Sequence, residues 1–498
     1  MSHDAIVETH YGKVRGTDLG SVAVWKGIPY AQPPIEKLRF HVPQAPEAWS
    51  GVRDASKFGA VAPQDVAHLS GLTQTLQGET TSEQAPISED CLYLNIWSPR
   101  ADEKKRPVMV WIHGGAFIIG SGSQPDYDGT SFAQQGDVVV VTLNYRLGVL
   151  GFLQLGDFAG AEYASAGNLG LLDQIAALKW VRENIAVFGG DPNNVTIFGE
   201  SAGAMSIGAL LAMPASKGLF QKAILESGAA HNVQDRASAT KAASELLDIL
   251  GLSTHEVAAL THIPLQKLLA AQTTLLTKNP LGGIRPVVDG KDIPELPVQA
   301  IAGGVAKDVA ILIGTNRDEM KLFMSEPSES SQDASMAQRL LGERTIEVFS
   351  TYAAAQPGAD MREIGLSMFT DYTFRIPAIR LAESQVQQGA PVWMYRFDWP
   401  SPNPKFGACH ALEIPFVWNT LETSLFRALT GKDAPQALAS TMHAAWIAFA
   451  HTGNPNTPKL PHWPAYDADR RATMLFDGQC SIADDPQGTE RAVWGSLL

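Results

Sequence analysis

The chain has 498 residues, 45% hydrophobic and 18% charged, a balance that supplies a large core. A formal net charge of −14 excludes binding to a run of nucleic-acid phosphates, which needs clustered basic residues. Met1-Ser2-His3-Asp4-Ala5-Ile6-Val7-Glu8 shows no basic stretch leading into an apolar one, no long apolar window follows, and Cys91, Cys409 and Cys480 stand at unrelated spacings; the expectation is a cytoplasmic protein with free thiols, no membrane span, no cofactor and no metal site.

Taken in chain order, residues 6–14 and 22–25 read as strands of a meander, broken by Gly12, Gly16 and Gly20. A proline-rich surface stretch (Pro29, Pro33, Pro34, Pro43, Pro46) leads into a long polar loop at 59–89. Residues 91–97 alternate as a strand, whereas 108–113 and 137–144 are continuous apolar runs suited to strands covered on both faces. Between 170 and 188, Leu171, Leu172, Ile175, Leu178, Val181, Ile185 and Phe188 recur at helical spacing. Val195, Ile197 and Phe198 form a short apolar strand, 202–211 a helix of small residues, and 222–228 a further strand. From 233 to 278 the pattern is helical (237–250, 254–260, 265–276) with no strand, an inserted cap or flank. Residues 309–314 return to the sheet, 330–388 are helical with Ile376-Pro377 inside, and 392–397 is a strand. A helix at 435–451 opens on Pro435, which suits a first turn; a strand at 473–476 and a terminal segment at 489–498 follow. The alternation predicts an α/β fold: a large, mostly parallel central sheet covered by helices on both faces, after an N-terminal β-meander. No linker divides it, so residues 1–498 are expected to form one domain.

Between the strand at 195–198 and the following helix lies Gly199-x-Ser201-x-Gly203, the spacing of a nucleophile elbow. A serine hydroxyl is unreactive at neutral pH, so Ser201 needs a histidine base and a carboxylate, in the order serine, acid, histidine. Glu319 and Asp318, directly after the 309–314 strand, both compete for the acid; Asp289 and Asp292 are rivals without a long strand before them. His410 follows the 392–397 strand and a Pro/Gly loop, among small neighbours. His443 and His451 share a helix with Trp446 and Phe449 and read as packing residues, while His231, His255, His262 and His462 lack a strand-to-loop setting. Upstream, His113-Gly114-Gly115-Ala116-Phe117 closes a central strand, a glycine-rich turn whose backbone N–H groups can hold an oxyanion.

On these motifs, together with Trp25-Lys26-Gly27-Ile28-Pro29-Tyr30-Ala31, Glu89-Asp90-Cys91-Leu92-Tyr93-Leu94-Asn95, Asn144-Tyr145-Arg146 and His410-x-x-Glu413-Ile414-Pro415-Phe416, the chain resembles the type-B carboxylesterases, the cholinesterase-like family of α/β-hydrolases, and most of all their bacterial para-nitrobenzyl-esterase branch. The resemblance implies a serine carboxylesterase working through an acyl-enzyme: Ser201 as nucleophile, His410 as base and Glu319 as acid. It implies oxyanion donors at Gly115, Ala116 and Ala202, support of the histidine by Glu200 and Ser227, and inserted helices flanking an active-site gorge. The implied partner is a small-molecule ester, of short to medium acyl chain and, from the Gly-Gly-Ala loop, bulky alcohol; the chain would be a monomer or small homo-oligomer. Rival readings are an amide, carbamate or toxin-ester hydrolase on the same triad, and a non-catalytic binding module. Secreted members carry a cysteine where this chain has Ala62, before Pro63-Gln64, so Cys91 is expected to lack a disulfide partner and the 62–91 loop to be unpinned. Phe323, Phe369, Met320, Met324 and Leu281 are candidates for pocket walls or for ordinary core.

Overall fold

The continuous apolar runs become the middle of one thirteen-stranded sheet. The computed structural model describes residues 3–65, 85–278, 284–324, 338, 341–422 and 424–495. The strands are β1 (His3–Thr9), β2 (Gly12–Asp18), β3 (Ala23–Pro29), β4 (Val52–Asp54), β5 (Tyr93–Ser98), β6 (Arg106–Ile112), β7 (Val139–Leu143), β8 (Gly190–Glu200), β9 (Lys222–Glu226), β10 (Gln234–Asp235), β11 (Val287–Val288), β12 (Ala310–Asn316), β13 (Val392–Phe397), β14 (Ala472–Phe476) and β15 (Ser481–Asp484). Their order is β1-β2-β3-β5-β7-β6-β8-β9-β12-β13-β14-β15, with β4 added on β2. Every pairing from β7 to β14 is parallel, and the meander and the β14–β15 edge are antiparallel.

Both faces of the parallel part are buried, which is why its strands read as unbroken apolar runs. Along β6, Val108, Val110 and Ile112 enter one apolar layer while Met109 and Trp111 enter the other. The principal helices are α1 (Leu169–Asn184), α2 (Ala202–Leu210), α3 (Arg236–Leu250), α4 (Leu265–Lys278), α5 (Met361–Thr370), α6 (Ile376–Gln387) and α7 (Gln436–Thr452). Helix α4 reaches the catalytic side through Gln272, whose Oε1 accepts the Val149 N–H at 2.9 Å, while the Gly148 N–H donates to the Phe117 carbonyl at 2.7 Å. The inserted helices thus brace the glycine-rich loop after β6.

Several local expectations are corrected. The run at 6–14 is two strands, because Thr9 and Gly12 pair across a tight hairpin in which the Thr9 hydroxyl caps the Gly12 carbonyl at 2.8 Å. The elbow strand extends back to Gly190, and Pro435 sits just before α7 rather than inside its first turn. The stretch from 233 is not free of strand: β10 pairs with β11 in a two-residue parallel ladder, too short to leave a pattern. The helical reading of 330–388 holds for the described part, with a π-helical segment, Asp371–Arg375, before Pro377 opens α6. The expected loose loop is held at its described ends: Val61 bridges Ile87, and the Gln64 amide both donates to the Gly120 carbonyl (3.0 Å) and accepts its N–H (2.9 Å). Residues 66–84 of that loop, and Leu281, lie outside the described residues.

Candidate active site

The ends of β6, β8, β9, β12 and β13 lie side by side, and the candidate residues sit on them or in the loops that follow, where open α/β sheets place ligands. Ser201 occupies φ 54°, ψ −122° between β8 and α2, a conformation that costs of order 1–3 kcal/mol and persists only when its surroundings enforce it. The enforcing bonds are the Ser201 N–H to the Glu226 carbonyl at 2.9 Å and the Met205 N–H to the Ser201 carbonyl at 2.8 Å. Glycine flanks the serine because the elbow presses on β6: a Cβ at Gly199 would stand 2.5 Å from the Ile112 carbonyl oxygen, and one at Gly203 would overlap the same atom.

The loop after β6 wraps over this elbow. A Cβ on Gly114 would fall 2.8 Å from both the Glu200 carbonyl and its Oε2, and one on Gly115 would overlap the Ile119 carbonyl. Gly115, Ala116 and Phe117 all have positive φ (108°, 53° and 64°), which leaves the N–H groups of Gly115 and Ala116, with that of Ala202 at the start of α2, without hydrogen-bond partners among the described residues. His113 anchors the loop from below: its ring stacks on Tyr145 at 4.4 Å, and the Tyr145 hydroxyl donates to the His113 carbonyl at 2.8 Å. Burial pushes the His113 pKa down to about 4, so it is a neutral support at working pH.

Of the two competing acids, Glu319 turns inward. It is fully buried; its Oε1 accepts the Asn316 N–H at 2.7 Å and its Oε2 lies 2.7 Å from His410 Nδ1. Asp318 faces the other way, accepting the Ala408 N–H at 2.9 Å and pairing with Arg317 and Lys321. Asp289 is a turn cap, its Oδ1 receiving the N–H groups of Lys291, Asp292 and Ile293, and His443 packs on Phe132.

His410 is hydrogen-bonded through Nδ1 to Glu319, while its Nε2 lies 3.0 Å from Glu200 Oε1 without the alignment of a hydrogen bond. No hydrogen bond joins the imidazole to Ser201 among the described residues; catalytic hydrogen bonds of this type commonly tighten only once substrate is bound. Burial acts to lower the His410 pKa, but the Glu200 and Glu319 carboxylates outweigh it and hold it well above the ordinary histidine range. Glu200 is itself raised by burial. Ser227 stands one step further away: its hydroxyl donates to Glu413 Oε1 at 3.3 Å, not to the histidine. Phe323 and Phe374 lie against the imidazole at 5.0 and 4.8 Å between ring centres, whereas Phe369 is buried.

Sequence reasoning did not assign a role to Glu413, Asn316, Glu226 or Phe374. Asn316 Nδ2 donates to Glu413 Oε2 and, at 2.7 Å, to the Cys409 carbonyl, so it ties the acid's loop to the histidine's loop. Burial, then the charges of Glu200 and Glu319, raise the Glu413 pKa to about 8. Its place three residues after His410 was the one available signal. Phe374 had none, since it depends on the π-helical segment. Among the described residues no three His, Cys, Asp or Glu side chains form a group able to hold a metal, and no helix is long and apolar enough to cross a membrane.

With this geometry in view, the chain compares closely with known proteins. The model of the carboxylesterase family matches residues 3–494. The chain is 46% identical to a para-nitrobenzyl esterase of Bacillus subtilis, over 99% of this chain and 98% of that one, and 34% identical to a phenmedipham hydrolase of Pseudarthrobacter oxydans over 96% and 97%. The crystal structure of carboxylesterase EST55 from Geobacillus stearothermophilus superposes with a TM-score of 0.88 at 45% identity, covering 98% of this chain and 99% of that chain. The serine-bearing elbow, the glycine-rich loop and the buried carboxyl–imidazole pair therefore lie in a member of the carboxylesterase family, a serine hydrolase of carboxylic esters with the α/β-hydrolase fold.

Proposed function

We propose that Ser201, His410 and Glu319 are the catalytic triad of one domain spanning residues 1–498, and that the protein hydrolyses small esters in a reducing cytoplasm. The observation that carries the triad is the buried Glu319–His410 contact at 2.7 Å, oriented by the Asn316 N–H and set beside the strained Ser201 elbow. His410 takes the Ser201 proton as Oγ attacks the ester carbonyl. The N–H groups of Gly115, Ala116 and Ala202 receive the oxyanion, a contribution that costs about 10²–10³ in rate for each donor lost. His410 then protonates the leaving alkoxide, and water repeats the cycle on the acyl group. Glu200 stabilises the imidazolium directly, and Ser227 acts through Glu413. The free thiols of Cys91, Cys409 and Cys480 support the compartment.

Ser201→Ala is expected to abolish turnover of para-nitrophenyl butyrate, and an organophosphate is expected to label Ser201 in the wild type; near-wild-type turnover or an unlabelled serine would refute the triad. The small Ala116 side chain at the oxyanion loop supports acceptance of bulky alcohols, tested by comparing tert-butyl acetate with ethyl acetate. A carbamate or amide substrate on the same triad is the second reading, favoured by the likeness to the phenmedipham hydrolase; matched ester and amide substrates separate the two.

A further inference from the structure

One buried carboxyl in the sheet is unused by the mechanism. The registers place Glu200 beside Glu226, Glu226 beside Gly314 and Gly314 beside Tyr395, a row across β8, β9, β12 and β13 on one face. Gly314 has no side chain in the row, and the Tyr395 ring lies where its Cβ would be, so the phenol leans across β12 toward Glu226. Trp446 of α7 covers them: its Nε1 donates to Glu226 Oε1 at 2.8 Å, and its ring meets Tyr395 edge-on at 5.2 Å. Glu226 Oε2, the Tyr395 hydroxyl and Asn316 Oδ1 are buried without hydrogen-bond partners among the described residues.

Two carboxylates side by side on adjacent strands repel each other, and a buried charge needs a partner. The nearby cation, the His410 imidazolium, is already held by Glu319 and Glu200. Glu226 also does two jobs at once. Its carbonyl receives the Ser201 N–H at 2.9 Å, while its side chain sits in the layer of Asn316, whose own N–H holds Glu319.

We propose that Glu226 is a positioning residue that works as an uncharged acid, its carboxyl O–H closing a buried polar cluster with Tyr395 and Asn316 that locks the nucleophile's strand end to the acid's strand end. The groups that face it are Glu200 from β8, Glu413 from the loop after His410, Tyr395 from β13 and Tyr127, together with the Trp446 indole. Glu413 and Glu200 disfavour a second negative charge, the indole favours one, and the phenols are neutral and able to donate or accept. Burial, and then Glu413, raise the Glu226 pKa well above the usual carboxyl range. Reciprocally, after burial it is Glu226 that most raises the Tyr395 phenol.

The inference rests on the triad reading, and the test separates the two. Infrared difference spectra of the wild type against Glu226→Gln at neutral pH should contain the carbonyl stretch of a protonated carboxylic acid, a signal independent of which serine is the nucleophile. A pair of ionised-carboxylate bands instead would overturn the proposal. In kinetics, Glu226→Leu should lower kcat about tenfold with KM little changed, since it leaves buried partners unsatisfied. Glu226→Gln, which keeps a donor and an acceptor without charge, should restore most of kcat and the wild-type pH profile. Equal losses in the two variants would overturn it. If Glu226→Leu does not fold, Tyr395→Phe serves: the acid carbonyl band must shift as its partner is removed, and an unmoved band excludes Tyr395 from the cluster. Failure of organophosphate to label Ser201 would instead sink the triad and leave the infrared result standing.

Discussion

Replacing Glu200 by glutamine is the most direct probe of the electrostatics around the base. Glu200 Oε1 stands 3.0 Å from His410 Nε2, and the pair is buried. At an effective dielectric constant of about 20, a unit pair at ~4 Å is worth ~4 kcal/mol, and in water-like surroundings ~1 kcal/mol. One pH unit corresponds to about 1.36 kcal/mol, so removing the charge should move the His410 titration down by roughly one to three pH units. The sign follows from the base having to be neutral. In the wild type kcat/KM is expected to rise with pH through a limb above the ordinary histidine value, because Glu200 and Glu319 stabilise the imidazolium. In Glu200→Gln that limb moves to lower pH. The plateau above it falls as well, since the imidazolium formed in the transition state loses the same neighbour; about tenfold is expected for each ~1.4 kcal/mol lost. The assay is kcat/KM for para-nitrophenyl acetate against pH at constant ionic strength. A limb that stays in place, or that moves upward, would refute the reasoning and mean that Glu200 is uncharged beside the resting imidazole.

Gly114→Ala should lower kcat/KM by about 10²-fold, the cost of an ångström-scale displacement of catalytic groups, because the new methyl meets Glu200 at 2.8 Å and Ser201 Cβ at 3.2 Å. Gly478→Ala, whose Cβ meets nothing within 4 Å, is the control, and equal activity in the two variants would remove the steric argument. For Glu413 the linkage is with stability. Its pKa of about 8 lies above the ordinary carboxyl value, so between roughly pH 4.5 and that value the folded state holds a proton that the unfolded chain has released. Stability should therefore fall as pH rises through this window, by about 1.36 kcal/mol for each pH unit crossed, and Glu413→Gln should remove a few kcal/mol of the fall. Thermal unfolding of both proteins across the window checks it, and parallel curves would mean that Glu413 titrates normally.

The parts of the site legible in the sequence are those in which backbone presses on backbone. Gly199, Gly203, Gly114 and Gly115 are glycine because a Cβ at each would collide with a neighbouring carbonyl or with Glu200, and a collision confined to a few residues leaves a short spacing as its trace. The unbroken apolar runs of β6 and β7 are legible for a similar reason, since burial on both faces acts on every residue of the strand. The choice between Asp318 and Glu319 is not legible locally. Both follow the same strand, and only the turn after Asn316 sends one carboxyl to Ala408 and the other to His410. The carboxyl row is further from reach, because Glu200, Glu226, Gly314 and Tyr395 meet through the registers of four strands separated by long crossovers. Its trace in the sequence is a lone glycine in an apolar strand, which signals close approach without naming the approaching group. The charge at Glu200 depends on burial and on His410 and Glu319, neighbours that the elbow motif does not contain. The elbow motif locates the nucleophile; the pH at which its base becomes available is set by the two carboxylates, Glu200 and Glu319, that separate strand ends bring to His410.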